Sequence, residues 1–168
     1  DDELNIKEDQ KKAFELYSSI EEKSSNAKYM IGRAYYYGSG TKTDYKKAYE
    51  YLKIAYEEKV SGAATYLAHC YHYGRGVKAD YKKALELGEK EYDLSKKVLG
   101  KTHPETLISL SNLALYYSYC GDYEKALEFG KKAYELRKKV LGERHPETLS
   151  SLSNLALFYS DCGDYEKA

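Results

Sequence analysis

Few of the 168 residues have the types and spacing that chemistry needs. The densest group is His69, Cys70 and His72, in which two histidines three apart share a helix face and could start a metal site. A third and a fourth ligand are missing from the pattern, so these residues are expected to line a core or a surface groove. His103 and His145 each stand directly before a proline, and no serine or cysteine keeps a fixed spacing that would make either one a base. Gly-Ser-Gly at 38–40 and Gly-Arg-Gly at 74–76 lack the lysine of a phosphate loop and read as turns. Cys70, Cys120 and Cys162 form an odd, sparse set without a C-x-x-C pair, which argues against a disulfide framework and against structural zinc. Reduced, partly buried thiols are expected. No polar constellation converges, so the expectation is no enzyme activity, no cofactor and no metal.

What remains is amide and aromatic chemistry. Asn112 and Asn154, each in the run Ser-Asn-Leu-Ala-Leu, are poor mid-helix residues whose amides offer donors and acceptors to an extended peptide. If Leu110, Leu113 and Tyr117 face a core, then Ile108, Asn112, Leu115 and Tyr119, at steps of four, three and four, face elsewhere. The matching stripe in the next copy is Ser150, Asn154, Leu157 and Asp161. Leu115 and Leu157 would then be exposed apolar side chains, natural in a binding groove. The alternatives are that the asparagines bond an adjacent repeat and that the leucines pack on a neighbouring helix.

The elements that position these residues repeat. Asp80–Gly121 recurs at Asp122–Gly163 with about three quarters of its residues identical, and a third copy starts at Asp164. Upstream the period shortens: AKYMIGRAYYYGSGTKTDYKKAYEY from Ala27 is echoed by AATYLAHCYHYGRGVKADYKKALEL from Ala63. The stretch KKAFELYSSIEEKSSNA from Lys11 reads as the second half of a preceding repeat. Each repeat reads as two helices, A and B. Leu107, Leu110, Leu113, Ala114 and Tyr117 share one face of A, and Tyr123, Ala126, Leu127, Gly130, Tyr134 and Leu141 one face of B. Small residues such as Ala114, Ala126, Gly130 and Ala133 let the helices approach closely.

Pro104 and Pro146, each followed by a glutamate, mark helix starts. Gly100 and Gly142, after basic last turns, mark ends in a left-handed residue. Asp residues after the glycine turns are placed to cap helix B. The basic runs KKVLG and RKKVLG read as solvated helix ends. Eight helices are expected: a leading B, three A/B pairs and a final A. The expected fold is all-α, a right-handed superhelical solenoid of antiparallel helix pairs running continuously through 1–168.

Composition agrees with that class. The chain is rich in Lys, Glu, Leu, Ala and Tyr, with 21 tyrosines, two prolines and no tryptophan. The 27 basic residues balance the 27 acidic ones, so no net field attracts nucleic acid, and DNA or RNA is not an expected partner. No run approaches the about twenty apolar residues that cross a bilayer, so no membrane partner is expected either. The chain reads as a fragment of a longer protein, with the cytoplasm as the expected compartment and no oligomeric state indicated.

At this point two families are resembled. A-x-x-x-[I/L]-[G/A]-x-x-Y-x-x-G-x-G-x-x-x-D-Y-K-K-A, within 27–99, resembles Sel-one-like repeats, with residues 1–26 as the half repeat before them. Thr41 departs where an apolar residue is usual, and Glu91-Tyr92 where two alanines are. From 100 to 168 the chain resembles tetratricopeptide repeats of the kinesin light chain type, through L-G-x-x-H-P-E-T at Leu99 and Leu141, S-N-L-A-L at Ser111 and Ser153, and C-G-D-Y-x-K-A at Cys120 and Cys162.

The resemblance implies peptide or protein binding on a concave surface lined by the A helices. Asn112 and Asn154 match the asparagines with which such grooves grip a peptide backbone. In the shorter units the stripe is Met30, Arg33 and Tyr37, then Tyr66, His69 and Tyr73, an aromatic and mildly basic floor. Ser111 and Ser153 stand where a carboxylate clamp would need lysines, so chaperone tails are not expected. Apolar or aromatic anchors in the partner are. The functional expectation is an interaction scaffold or adaptor, with the regulatory or sensor arm of a larger NTPase or protease as the rival reading.

Overall fold

Short polar side chains fix where the helices begin. Asp44 Oδ1 accepts the Lys47 N–H at 3.0 Å, Asp122 Oδ1 accepts that of Lys125 at 3.2 Å, and Ser24 Oγ accepts that of Ala27 at 3.2 Å. His103 and His145 do the same work: Nδ1 accepts the N–H of Glu105 at 3.3 Å and of Glu147 at 3.2 Å, with Pro104 and Pro146 in the first turn. Their recurrence before proline is thereby explained by backbone satisfaction.

The computed structural model describes residues 2–163; the third copy expected from Asp164 lies outside the described residues. Eight α-helices and no strand occur among them. In chain order these are α1 (Asp2–Ser19), α2 (Ser25–Tyr37), α3 (Tyr45–Glu57), α4 (Ala63–Tyr73), α5 (Tyr81–Val98), α6 (Pro104–Tyr119), α7 (Tyr123–Leu141) and α8 (Pro146–Asp161), with one 3-10 turn at Glu21–Lys23. The odd-numbered helices are B helices and the even-numbered ones A helices, as the repeats require. No described helix is long and apolar enough to cross a membrane.

The chain divides into two compact units, residues 1–80 and 81–168. Unit 1 is built around Tyr36, Ala48, Leu52 and Cys70, with Tyr29, Tyr66 and Val77 packed against them. Unit 2 is built around Tyr92, Leu110, Leu113, Ala114, Tyr117, Ala126, Ala133 and Phe158. Both cores join elements far apart in sequence through small residues: Ala48, Ala84 and Ala126, one per B helix from α3 onward, have no exposed surface.

Two helical glycines in unit 2 show why. A Cβ on Gly88 would lie 2.6 Å from the Tyr116 ring, and one on Gly130 would lie 2.7 Å from the Phe158 ring. In unit 1 the G-x-G turns are more than punctuation. Gly40 and Gly76, both at φ +74°, lie so close to α1 and α3 that a Cβ would overlap the carbonyls of Gln10 and Tyr45.

Three expectations need correction. Gly142 has φ 91° and ψ 159°, outside the left-handed helical region, in an extended conformation open to glycine alone. Arg137, read as part of a solvated helix end, is buried: Nη1 donates to Ser151 Oγ at 2.6 Å and to the Glu147 carbonyl at 3.3 Å. It anchors the start of α8, where its counterpart Ser95 reaches only Glu91 on its own helix. Of the thiols only Cys70 is buried, while Cys120 and Cys162 are exposed at the turns after α6 and α8. Leu149 and Leu152 of α8 are also exposed, although their counterparts Leu107 and Leu110 are buried, because α7 packs over α6 and no described helix follows α8.

The glycines give a graded test. Gly121 has φ +82° and nothing within 4 Å of its would-be Cβ, so Gly121→Ala carries only the left-handed backbone cost of about 1 kcal/mol. Gly76→Ala adds the backbone overlap and is expected to cost about 3 kcal/mol or more. Denaturant melts of the two variants check this; equal losses contradict the close approach.

Candidate functional site

In unit 2 the A-helix stripes are partly presented and partly spent on packing. Ile108 and Tyr119 of α6 and Leu157 of α8 are exposed, Leu157 by 59%. Asn112 and Asn154 are half-buried. Asn154 lines a small crevice with Ser111, Ala114, Gly130, Ser151 and Phe158. Leu115 departs from the expected exposure: it is half-buried and packs against the unit 2 core, because α6 sits among α5, α7 and α8 and buries a wider arc than its spacing suggests. Asp161 accepts a hydrogen bond from Ser118 Oγ at 2.9 Å, tying α8 directly to α6. Ser111 and Ser153 donate to the carbonyls of Leu107 and Leu149, so their hydroxyls serve their own helices.

In unit 1 the structure gathers the residues more tightly. Met30, Arg33 and Tyr37 line one cavity of about 290 Å³, walled on the other side by Phe14 and Tyr17 of α1. The Arg33 guanidinium lies 5.6 Å from the Tyr29 ring centre and 5.4 Å from that of Tyr66. Tyr66 is the hub of the face, half-buried, with the rings of Tyr29, Tyr36, Tyr37 and His69 all edge-on to it at 5.7–6.1 Å. Tyr37 and Tyr73 are more than half exposed at its rim. Burial, and then the hydrogen bond to Tyr66, push the Tyr37 phenol up to about 12, so it stays neutral and able to donate throughout the physiological range.

Tyr29, Tyr36 and one arginine of this cluster escaped the sequence analysis. Arg75, in the second G-x-G turn, lies 4.9–5.1 Å from the ring centres of Tyr36, Tyr45 and Tyr73, and Nη1 donates to the Tyr36 hydroxyl. The only signal was an arginine where the first turn has serine. Its charge is felt nearby. Burial, and after it the charges of His72 and Arg75, hold the His69 imidazole down at about 4, and burial lowers His72 as well. Burial likewise pushes the Cys70 thiol up to about 12, which keeps it protonated and unreactive. Among the described residues no three His, Cys, Asp or Glu side chains gather as metal ligands would.

The fold and these faces define a class, the all-α helical-repeat solenoid. Its membership is specific: a tetratricopeptide repeat model matches residues 62–139 and 119–168, and the chain belongs to that family. A Sel1 repeat model matches 2–22 and 25–60 at the N-terminus. The tetratricopeptide match begins at α4, although α4 carries the shorter motif.

Two kinds of solved structure resemble it. A Podosopora anserina protein described as a kinesin light chain with nearly identical TPR-like repeats aligns over 99% of this chain and 82% of its own, at 20% identity and TM-score 0.74. BtubC (BKLC) from P. vanneervenii aligns over 86% of this chain, at 18% identity and TM-score 0.70, and this chain spans 58% of its length. The protective antigen c5321 of uropathogenic Escherichia coli, with an SLR fold, matches over 89% of this chain and 29% of its own, at 24% identity and TM-score 0.54. At such identities the likeness establishes the fold. A comparison with curated protein sequences finds no match. Tetratricopeptide and Sel1 repeats generally serve as protein–protein interaction scaffolds, and no catalytic family is indicated.

The half-buried His69 and the buried His72 make stability depend on pH. His69 is neutral in the fold down to about 4, whereas the unfolded chain takes up that proton near 6.5. Its contribution is therefore complete above 6.5 and is lost as the pH falls from there toward 4. Melting temperature is expected to drop between pH 7 and 5.5, and to drop less in His69→Gln. An NMR titration in which His69 protonates near 6.5 contradicts this.

Proposed function

We propose that this chain is an interaction module that holds a peptide or protein segment against its A-helix faces. The observation that carries the reading is that each unit leaves apolar and aromatic groups exposed on its A helices: Tyr37 and Tyr73 in unit 1, Ile108, Tyr119 and Leu157 in unit 2. Large exposed apolar side chains are costly in water and are useful as anchors for a partner.

Arg33, Tyr37, Tyr66 and His69 form the floor in unit 1. Asn112 and Asn154, flanked by Ile108, Leu115, Tyr119 and Leu157, supply backbone-directed amides in unit 2. Leu115, half-buried, contributes an apolar edge. Partners are peptides or proteins that bring apolar or aromatic anchors.

Peptide display against the purified 168-residue chain tests this reading. Selected peptides should bind with measurable affinity and carry apolar or aromatic anchors. Asn112→Ala with Asn154→Ala should weaken the unit 2 binders about tenfold or more, at about 1 kcal/mol per lost hydrogen bond, while leaving the helical signal unchanged. Undiminished binding by the double variant removes the asparagines from the site, and a selection that enriches nothing contradicts the module itself.

A further inference from the structure

Arg33 holds more hydrogen-bonding capacity than the fold uses. A guanidinium carries five N–H donors, and the polar contact made here is Nη1 to the Met30 thioether at 3.8 Å, a weak acceptor. Nε is buried and has no hydrogen-bond partner. No described carboxylate reaches it. Among the acids of unit 1, Glu8 pairs with Lys12, Glu21 accepts from the Tyr51 hydroxyl, Glu58 pairs with Lys28 and Asp44 caps α3. Arg75, the other guanidinium of this aromatic cluster, is likewise met by phenols and rings alone. Among the described residues neither of the two guanidiniums on this face is met by a carboxylate, and Arg33 itself lines a cavity of about 290 Å³.

Resting on the reading of unit 1 as a peptide-binding face, we infer that this cavity selects an acidic side chain: Arg33 takes the carboxylate of an internal Asp or Glu, and its walls take the apolar residues on either side. The internal position follows from the stripe. Met30 lies one turn before Arg33 and Tyr37 one turn after it, with Phe14 and Tyr17 opposite, so apolar wall flanks the guanidinium on both sides. A chain terminus would fill one side only. An apolar–acidic–apolar segment fills both, and its carboxylate gives Arg33 charge-assisted hydrogen bonds in a half-buried setting where these are strong.

The probe is a positional-scanning library of acetylated, amidated peptides, bound to the full chain. Asp or Glu should be enriched at one position, with Met, Leu, Phe or Tyr on both sides. In the best peptide, replacing that acid by its amide should weaken binding about tenfold or more. Arg33→Gln should give the same loss and should no longer distinguish acid from amide, whereas Arg33→Lys keeps part of the preference. If Arg33→Gln does not fold, the wild-type protein decides: the Arg33 Nε–H resonance should shift on adding the acidic peptide and stay put with its amide. Peptides enriched without an acid, or an acid preference indifferent to Arg33, overturn the inference and leave peptide binding standing. Enrichment of acids only when a free C-terminus is restored overturns the internal position. A library that enriches nothing overturns both.

Discussion

In unit 2 neighbouring helices come together where one gives up its side chain and the other supplies a ring. Gly88 of α5 meets Tyr116 of α6, and one period later Gly130 of α7 meets Phe158 of α8, with contact distances that leave no space for a methyl group. The substitution of Tyr by Phe between copies keeps the ring and drops the hydroxyl, so the ring is what the contact needs. The alanines at 48, 84 and 126, all without exposed surface, extend the same logic along the B helices. Interiors packed at crystal-like density have no slack for a mismatch here, and the spacing of the repeats follows from it.

That spacing decides what the A helices have left to offer. With one face spent against the B helices, their other residues stand outward in rows. Among the described residues no nucleophile, base and orienting group converge there, and the perturbed groups on these faces are held by packing against aromatic neighbours. His69 and Cys70 are each held neutral, chiefly by desolvation. Arginine over tyrosine dominates unit 1, and amides beside leucines mark unit 2. Aromatic and arginine side chains of this kind are enriched at protein–protein interfaces.

Most of the fold was legible because its causes are local and periodic. Capping Asp44 and Asp122, the prolines at helix starts and the three- and four-residue spacing of Leu107, Leu110 and Leu113 each carry their own physics. Less visible were features set by contact across repeats. Leu115 and Leu157 occupy equivalent positions, yet one packs on a core and the other stands in water, because burial depends on which helices lie alongside. Arg137 reads like a surface cation until Ser151 and the Glu147 carbonyl are brought beneath it. His103 and His145 cap through Nδ1, a use that spacing alone does not reveal. The cluster around Tyr66 joins side chains of α2 and α4, so Tyr37, Tyr66 and His69 were named in advance but Tyr29, Tyr36 and Arg75 were not.

The account stands or falls on the glycine-against-ring contact, and a double-mutant cycle on Gly130 and Phe158 addresses it directly. Alanine is the better helix former by about 1 kcal/mol, so in a loosely packed pair Gly130→Ala would stabilise the protein. The contact described here predicts the opposite: a clear loss of stability for Gly130→Ala alone, and recovery of much of that loss when Phe158→Leu makes space for the methyl group. A Gly130→Ala variant that melts higher than the wild type, or losses that simply add in the double variant, contradicts it.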